Sequence, residues 1–225
     1  MPTIRANPKA PALPLFPLFD TYSDMVKIEV GSLNDAQLDW TSPNWRWSEW
    51  SIRDNVSHVA SHLFRWYILR WGSQLFPQGI PYFNEVHYLA GLPTRRLDTE
   101  RWGSKEQILQ KLDEGITMVK GGLAKETVGS VTQKYIKMGT PSFYSRISER
   151  YDKGRREGEK TLRQDPKDPS VWHLSLEGTI HHSEGEMVTH LYNVQRLKKA
   201  QGLAAKVKLP EIGYWTLPGW DRSEP

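Results

Sequence analysis

The chain contains no cysteine. Disulfides, thiolate metal sites and a cysteine nucleophile are therefore excluded, and a reducing compartment, the cytoplasm, is the expected setting. No run of about eighteen apolar residues exists, so no membrane-crossing helix is expected. The N-terminal stretch is interrupted by Pro8, Pro11, Pro14 and Pro17. That leaves no continuous apolar segment for a signal peptide and predicts an extended arm over residues 1–17. Internal repeats, a glycine-rich phosphate loop and a serine-nucleophile motif are also missing. Concentrated positive charge is missing too. The net charge is only +4, and the densest basic stretch, residues 153–163, also carries Glu157 and Glu159. Such a stretch is a solvated helix face, which argues against a nucleic-acid binder.

What is present is aromatic and histidine-rich. The 225 residues allow one domain with elaborations, long enough to bury a full core. Ten Trp, nine Tyr and six Phe must be buried or must line a pocket. Phe19, Tyr22, Met25, Val26 and Val30 recur at helical spacing and predict a first helix over residues 18–30. Trp40, Trp45, Trp47 and Trp50 crowd the following connector and predict a rigid aromatic loop. Ser51 with Asp54, and Ser104 with Gln107, form capping-box patterns opening a second helix over residues 52–71 and a third near Ile108, Leu112 and Ile116. Residues 77–101 read as a long loop, of the kind that often covers a site. A charged helix is expected from Ser142 to about Gln164. A last helix is expected over residues 171–201, capped by Ser170 and closed by Gly202. A strand-like piece within residues 131–138 is the one extended signal. These elements predict an all-α four-helix bundle over residues 18–202 with extra loops and a short additional helix, followed by a tail, residues 203–225, packed on it.

Five of the seven histidines fall in two groups. His58 and His62 are four apart on the second helix; His182, Glu186 and His190 are each four apart on the last, with His181 adjoining. A spacing of four stacks side chains on one helix face, and imidazole or carboxylate pairs so arranged can clamp a borderline divalent ion between helices. His182 and His190 lie roughly 12 Å apart along a helix, too far to share one ion. His62, His182 and Asn193 are candidates for the surrounding pocket, with ordinary core or surface roles as the alternative. Glu177 and Glu184 are expected to be exposed helix charges, or else to orient a ligand imidazole.

The segment Trp50-Ser51-Ile52-Arg53-Asp54-Asn55-Val56-Ser57-His58 resembles the stretch of DinB-like proteins in which W-S-x-R leads into a helix with a metal-binding histidine. The run from His182 through Glu186 to His190 resembles that superfamily's last-helix pattern. The resemblance implies an up-down-down-up four-helix topology and one divalent metal ion (Zn, Ni, Fe or Mn) at His58, Glu186 and His190. Glu186 stands where a histidine is usual, giving a set of two histidines and one carboxylate. It also implies a metal-dependent enzyme, a thiol-dependent transferase or hydrolase acting on a small molecule with a low-molecular-weight thiol as co-substrate, and a homodimer. The alternative is a non-catalytic dimeric bundle acting as a binding or stress-response module.

Overall fold

The computed structural model describes residues 7–139 and 144–225. Five helices carry the frame: α1 (Leu18–Val30), α2 (Ile52–Phe64), α3 (Lys105–Leu123), α4 (Tyr144–Asp152) and α5 (Leu176–Ala200). α1 buries Phe19, Tyr22, Val26 and Val30 of the stripe that its periodicity predicts, while Met25 is half-buried. α2 and α3 open on the two expected capping boxes, in which Ser51 and Ser104 each receive the N–H three residues on while Asp54 and Gln107 reach back. α2 is the central rod, and every residue from Asn55 to Phe64 is buried. It continues as a π-helical turn over Arg65–Arg70, a local insertion that re-aims the side chains beyond it. Arg53, from the W-S-x-R pattern, pins the entry of α2. Its guanidinium bonds Asp39 and Asp35 at 2.6 Å each and the Gly103 carbonyl at 2.9 Å.

Side-chain pairs fix the relative directions of the long helices. Lys120 near the end of α3 meets Asp20 near the start of α1, while Lys105 at the start of α3 caps the Gly31 carbonyl at 3.0 Å, so these two are antiparallel. α2 and α3 run the same way, since Arg53 meets Gly103 at their starts and Leu63 packs on Gly115 further along. α2 and α5 are antiparallel: Asn55 contacts His190 and Trp71 bonds Thr179. α1 and α5 are parallel, with Tyr22 donating to the Met187 carbonyl at 2.7 Å and Lys198 paired with the fully buried Glu29. Glu29 also accepts the backbone N–H groups of Lys206 and Val207, each at 2.8 Å, which fastens the chain after α5 to the helices.

The fold is mostly helical but not all-α. β1 (Tyr135–Met138), β2 (Leu162–Gln164) and β3 (Trp172–Ser175) form an antiparallel sheet in the order β1-β3-β2. This corrects two expectations. The last helix does not start at Val171, because Trp172 to Ser175 form the central strand, paired on both edges, and Ser175 rather than Ser170 caps α5. The charged helix expected from Ser142 ends at Asp152, and Leu162–Gln164 is a strand; Ser142 itself lies outside the described residues. The long loop at residues 77–101 contains a short helix, Val86–Ala90. At the C-terminal end, Gly213 (φ 102°) passes so close to α5 that a Cβ would lie 3.1 Å from Thr189 Oγ1. This approach seats Tyr214, 1% exposed, against the helix. None of the described helices is long and apolar enough to cross a membrane.

Candidate metal centre

His58 projects from the middle of α2, and Glu186 and His190 from one face of α5, where a spacing of four stacks them. Because the two helices are antiparallel, the three side chains converge. Glu186 Oε2 lies 3.3 Å from His58 Nε2 and 3.3 Å from His190 Nε2. One ligand atom from each residue falls within 4.8 Å of the others. Ions bound by nitrogen and oxygen at about 2.0–2.2 Å set ligand-to-ligand edges of roughly 3–3.5 Å, so the two short edges match a coordination sphere. The trio has the donor set and the spacing to hold a divalent cation.

The surroundings fix both imidazoles. His58 Nδ1 donates to the Arg95 carbonyl at 2.8 Å. His190 Nδ1 donates to Asn55 Oδ1 at 2.7 Å, and the Asn55 amide is itself held by donating to the Ser51 carbonyl at 2.8 Å. Both acceptors lack a proton, so each Nδ1 must carry one and each ring, when neutral, presents its Nε2 lone pair to the carboxylate. Three lone-pair-bearing atoms then face one another, an arrangement that repels unless a cation lies among them. Burial drives the pKa of His58 down to about 4, the neighbouring His190 adds to the fall, and Glu186 only partly opposes it. Burial works to raise the Glu186 carboxyl, but a His190 or His58 ring that gains a second proton donates to it, and this outweighs burial and holds the carboxyl well below the usual carboxylate range. Trp50 covers one flank, edge-on to His58 at 5.1 Å and stacked on His190 at 5.9 Å, with the Arg96 guanidinium 5.5 Å above its ring. The aromatic connector thus walls the centre.

The other candidates lie elsewhere. His62 is buried one turn along α2, where Nε2 meets Ser183 Oγ at 3.0 Å. His182 packs on His62 at 5.1 Å and hydrogen-bonds the Tyr214 hydroxyl through Nδ1. Asn193 accepts from Arg196 at 2.6 Å. Glu177 and Glu184 are not exposed helix charges: they are 1% and 6% exposed and face His181, on another side of α5. Sequence reasoning missed Asn55 and Arg95. Asn55 carried a signal, since asparagine inside a helix competes with the helical backbone and needs a reason to be there. Arg95 carried none, because its carbonyl, not its side chain, is what His58 uses.

Comparison with protein-family models, with curated proteins and with solved structures finds no match to this chain.

Proposed function

We propose that the protein is a metal-dependent enzyme of the DinB-like kind, built on an up-down-down-up four-helix bundle, with one divalent ion (Zn, Ni, Fe or Mn) held by His58, Glu186 and His190. The observation that carries this reading is that both Nδ1 atoms are committed to acceptors, so both Nε2 lone pairs converge on one carboxylate. The directions of α1, α2, α3 and α5 support the topology. A bound divalent ion supplies Lewis acidity, which brings a water or a low-molecular-weight thiol to nucleophilic strength near neutral pH. The chain's own part is orientation and shielding. Asn55 and the Arg95 carbonyl set the two rings, Glu186 contributes the negative charge, and Trp50 excludes water from one side. Two imidazoles and one carboxylate leave room in a sphere of four to six ligands for a substrate. The reaction assigned is thiol-dependent transfer or hydrolysis on a small molecule.

The test is elemental analysis by mass spectrometry on untagged protein, beside His58→Ala and His190→Ala. Close to one equivalent of a transition metal, lost in both variants, is expected, and its identity then directs screens with thiol and electrophile pairs. Protein that is metal-free and takes up no added divalent ion would overturn the reading in favour of a non-catalytic bundle.

A further inference from the structure

Spacings of four and three continue the metal-facing stripe of α2, so His58, His62 and then Arg65 share one face. At Arg65 the rod passes into the π-helical turn, which closes over five residues rather than four: the Trp71 N–H donates to the Trp66 carbonyl at 3.2 Å. That spacing brings Arg70 round to the side of Arg65. Arg65 is half-buried and donates through Nη1 alone, to Ser61 Oγ and to the Ala90 carbonyl, each at 3.1 Å. Both acceptors are neutral. Nε and Nη2 have no partner among the described residues and are not sealed from solvent. Burial drives the Arg65 pKa down to about 10; Glu186 opposes the fall, and Arg95 and Arg70 deepen it. The group therefore keeps its charge at neutral pH. That charge also acts on His58, His62 and His182, which sets it beside the metal centre.

Arg53, Arg96 and Arg155 are half-buried too, and each has a carboxylate. Arg53 bridges Asp35 and Asp39, Arg96 meets Asp54, and Arg155 grips Glu177 through bonds of 2.8 and 3.0 Å, beside the stacked rings of Tyr151 and His181. Arg65 has none among the described residues, and neither have its neighbours. Arg70 lies over the Trp66 ring at 4.7 Å and donates to Met138 Sδ at 3.2 Å, and Arg95 is exposed and forms no ion pair. Three guanidiniums thus stand against the carboxylate of the centre, and a divalent ion there widens the positive excess. The centre is open to a ligand, since Glu186 and His190 keep 18% and 15% of their side chains exposed. An excess of one sign in a partly desolvated cleft draws the opposite charge. With Nη1 anchored, Arg65 offers its Nε and Nη2 edge, the flat pair of donors that matches two oxygens of a carboxylate or phosphate. We infer that the molecule taken up at the metal centre carries such an oxyanion, which docks on the Nε and Nη2 edge of Arg65 with Arg70 and Arg95 at the rim. That this molecule is a substrate rests on the proposed function; the arginines' affinity for an oxyanion does not.

The probes are inorganic phosphate and malonate, titrated calorimetrically into the protein as purified and after dialysis against a chelator. In the stripped protein no ion is left to hold an anion, so that arm reads the arginines alone. One anion per chain is expected in both arms, and the tighter of the two probes names the group. Arg65→Gln removes the charge and the fork and should weaken binding to the stripped protein at least about tenfold. Arg65→Lys keeps the charge without the fork and should fall between. Arg70→Gln and Arg95→Gln change exposed side chains and leave the core intact; each should cost about threefold, and the two together about tenfold. They carry the test if Arg65→Gln does not fold. Arg163→Gln, on the sheet against Tyr135, should bind as the wild type does. A chain that holds no metal but binds phosphate would lose the metal reading and keep the oxyanion site. A chain that holds metal but whose stripped form binds neither anion would do the reverse. The inference is also overturned if Arg65→Gln and the double variant both bind as tightly as the wild type.

Discussion

His181 and His182 are neighbours in the chain and equally buried, at 4% and 6% exposure, but they face opposite electrostatic surroundings. His182 belongs to the side of α5 that meets α2, where one carboxylate, Glu186, serves four imidazoles and the ring N–H groups of His58 and His190 go to neutral acceptors. There burial wins, and His58 and His182 are both driven down to about 4. His181 sits between two carboxylates, one of them clamped by Arg155, and its pKa rises. Burial alone therefore does not decide whether a histidine is a neutral donor of lone pairs or a cation. The ratio of carboxylates to imidazoles decides. A side with spare lone pairs calls for a cation; a side already balanced does not.

The most severe way to break this comparison is to remove the charge that balances the His181 side. Glu177 is 1% exposed and Arg155 holds it through two hydrogen bonds. Arg155→Ala leaves a buried carboxylate short of a counter-charge, and stability should fall by about 3–5 kcal/mol. Urea unfolding measures this, with metal content unchanged because α2 is not involved. A loss within about 0.5 kcal/mol, the level of an ordinary surface substitution, would mean that the pair is solvated and the two sides are not distinct.

The next effect is on pH. In metal-free protein, His58 and His182 have folded-state values below the ordinary 6.5. Their contribution to stability is present above pH ~6.5 and is lost as pH falls toward about 4, when the unfolded chain binds protons that the folded one refuses. Each accounts for up to about 3 kcal/mol at the limit. His181 has the opposite sign: its contribution is full below pH ~6.5 and disappears as pH rises through its raised folded value. Denaturant midpoints across pH should show His182→Gln flattening the acid side and His181→Gln flattening the alkaline side. Identical profiles for the two variants would erase the distinction.

A smaller effect isolates the neutral acceptors. Asn55→Ala removes the group that holds His190 Nδ1. Loss of such an orienting partner should weaken metal retention about 10–100-fold, as measured by competition with a chelator, while the His181 side keeps its stability. Retention equal to wild type would show that His190 needs no orientation.

These particulars mark what could be seen from the residues alone. Helix α1 and the caps at Ser51 and Ser104 were legible, because each depends on spacing of three or four within one helix; so was the pairing of Glu186 with His190, whereas joining His58 to them rested on the resemblance of the two motifs. The start of α5 was not, because Trp172 to Ser175 owe their strand to partners at Tyr135 to Met138 and Leu162 to Gln164. Local propensity does not report a pairing across such separations. The His181 side was illegible for the same reason: Arg155 and Tyr151 come from beyond the strand β3 that precedes α5. Without them Glu177 and Glu184 look like solvated charges.

The smallest effect tests how the metal-facing side is oriented. Arg95 adopts the left-handed region at φ 60°, uncommon for a residue with a Cβ, and this conformation presents its carbonyl to His58 Nδ1. Glycine adopts the same backbone without the Cβ penalty. Arg95→Gly therefore keeps the acceptor and should relieve about 1 kcal/mol of strain, while metal retention stays at the wild-type level. This outcome separates a main-chain role from a side-chain one, since the guanidinium is gone and the carbonyl remains. If Arg95→Gly loses metal, then His58 is held by the arginine side chain's influence on the loop rather than by the carbonyl. The contrast between a side set by neutral dipoles and a side set by charges would then fail at its best-defined hydrogen bond.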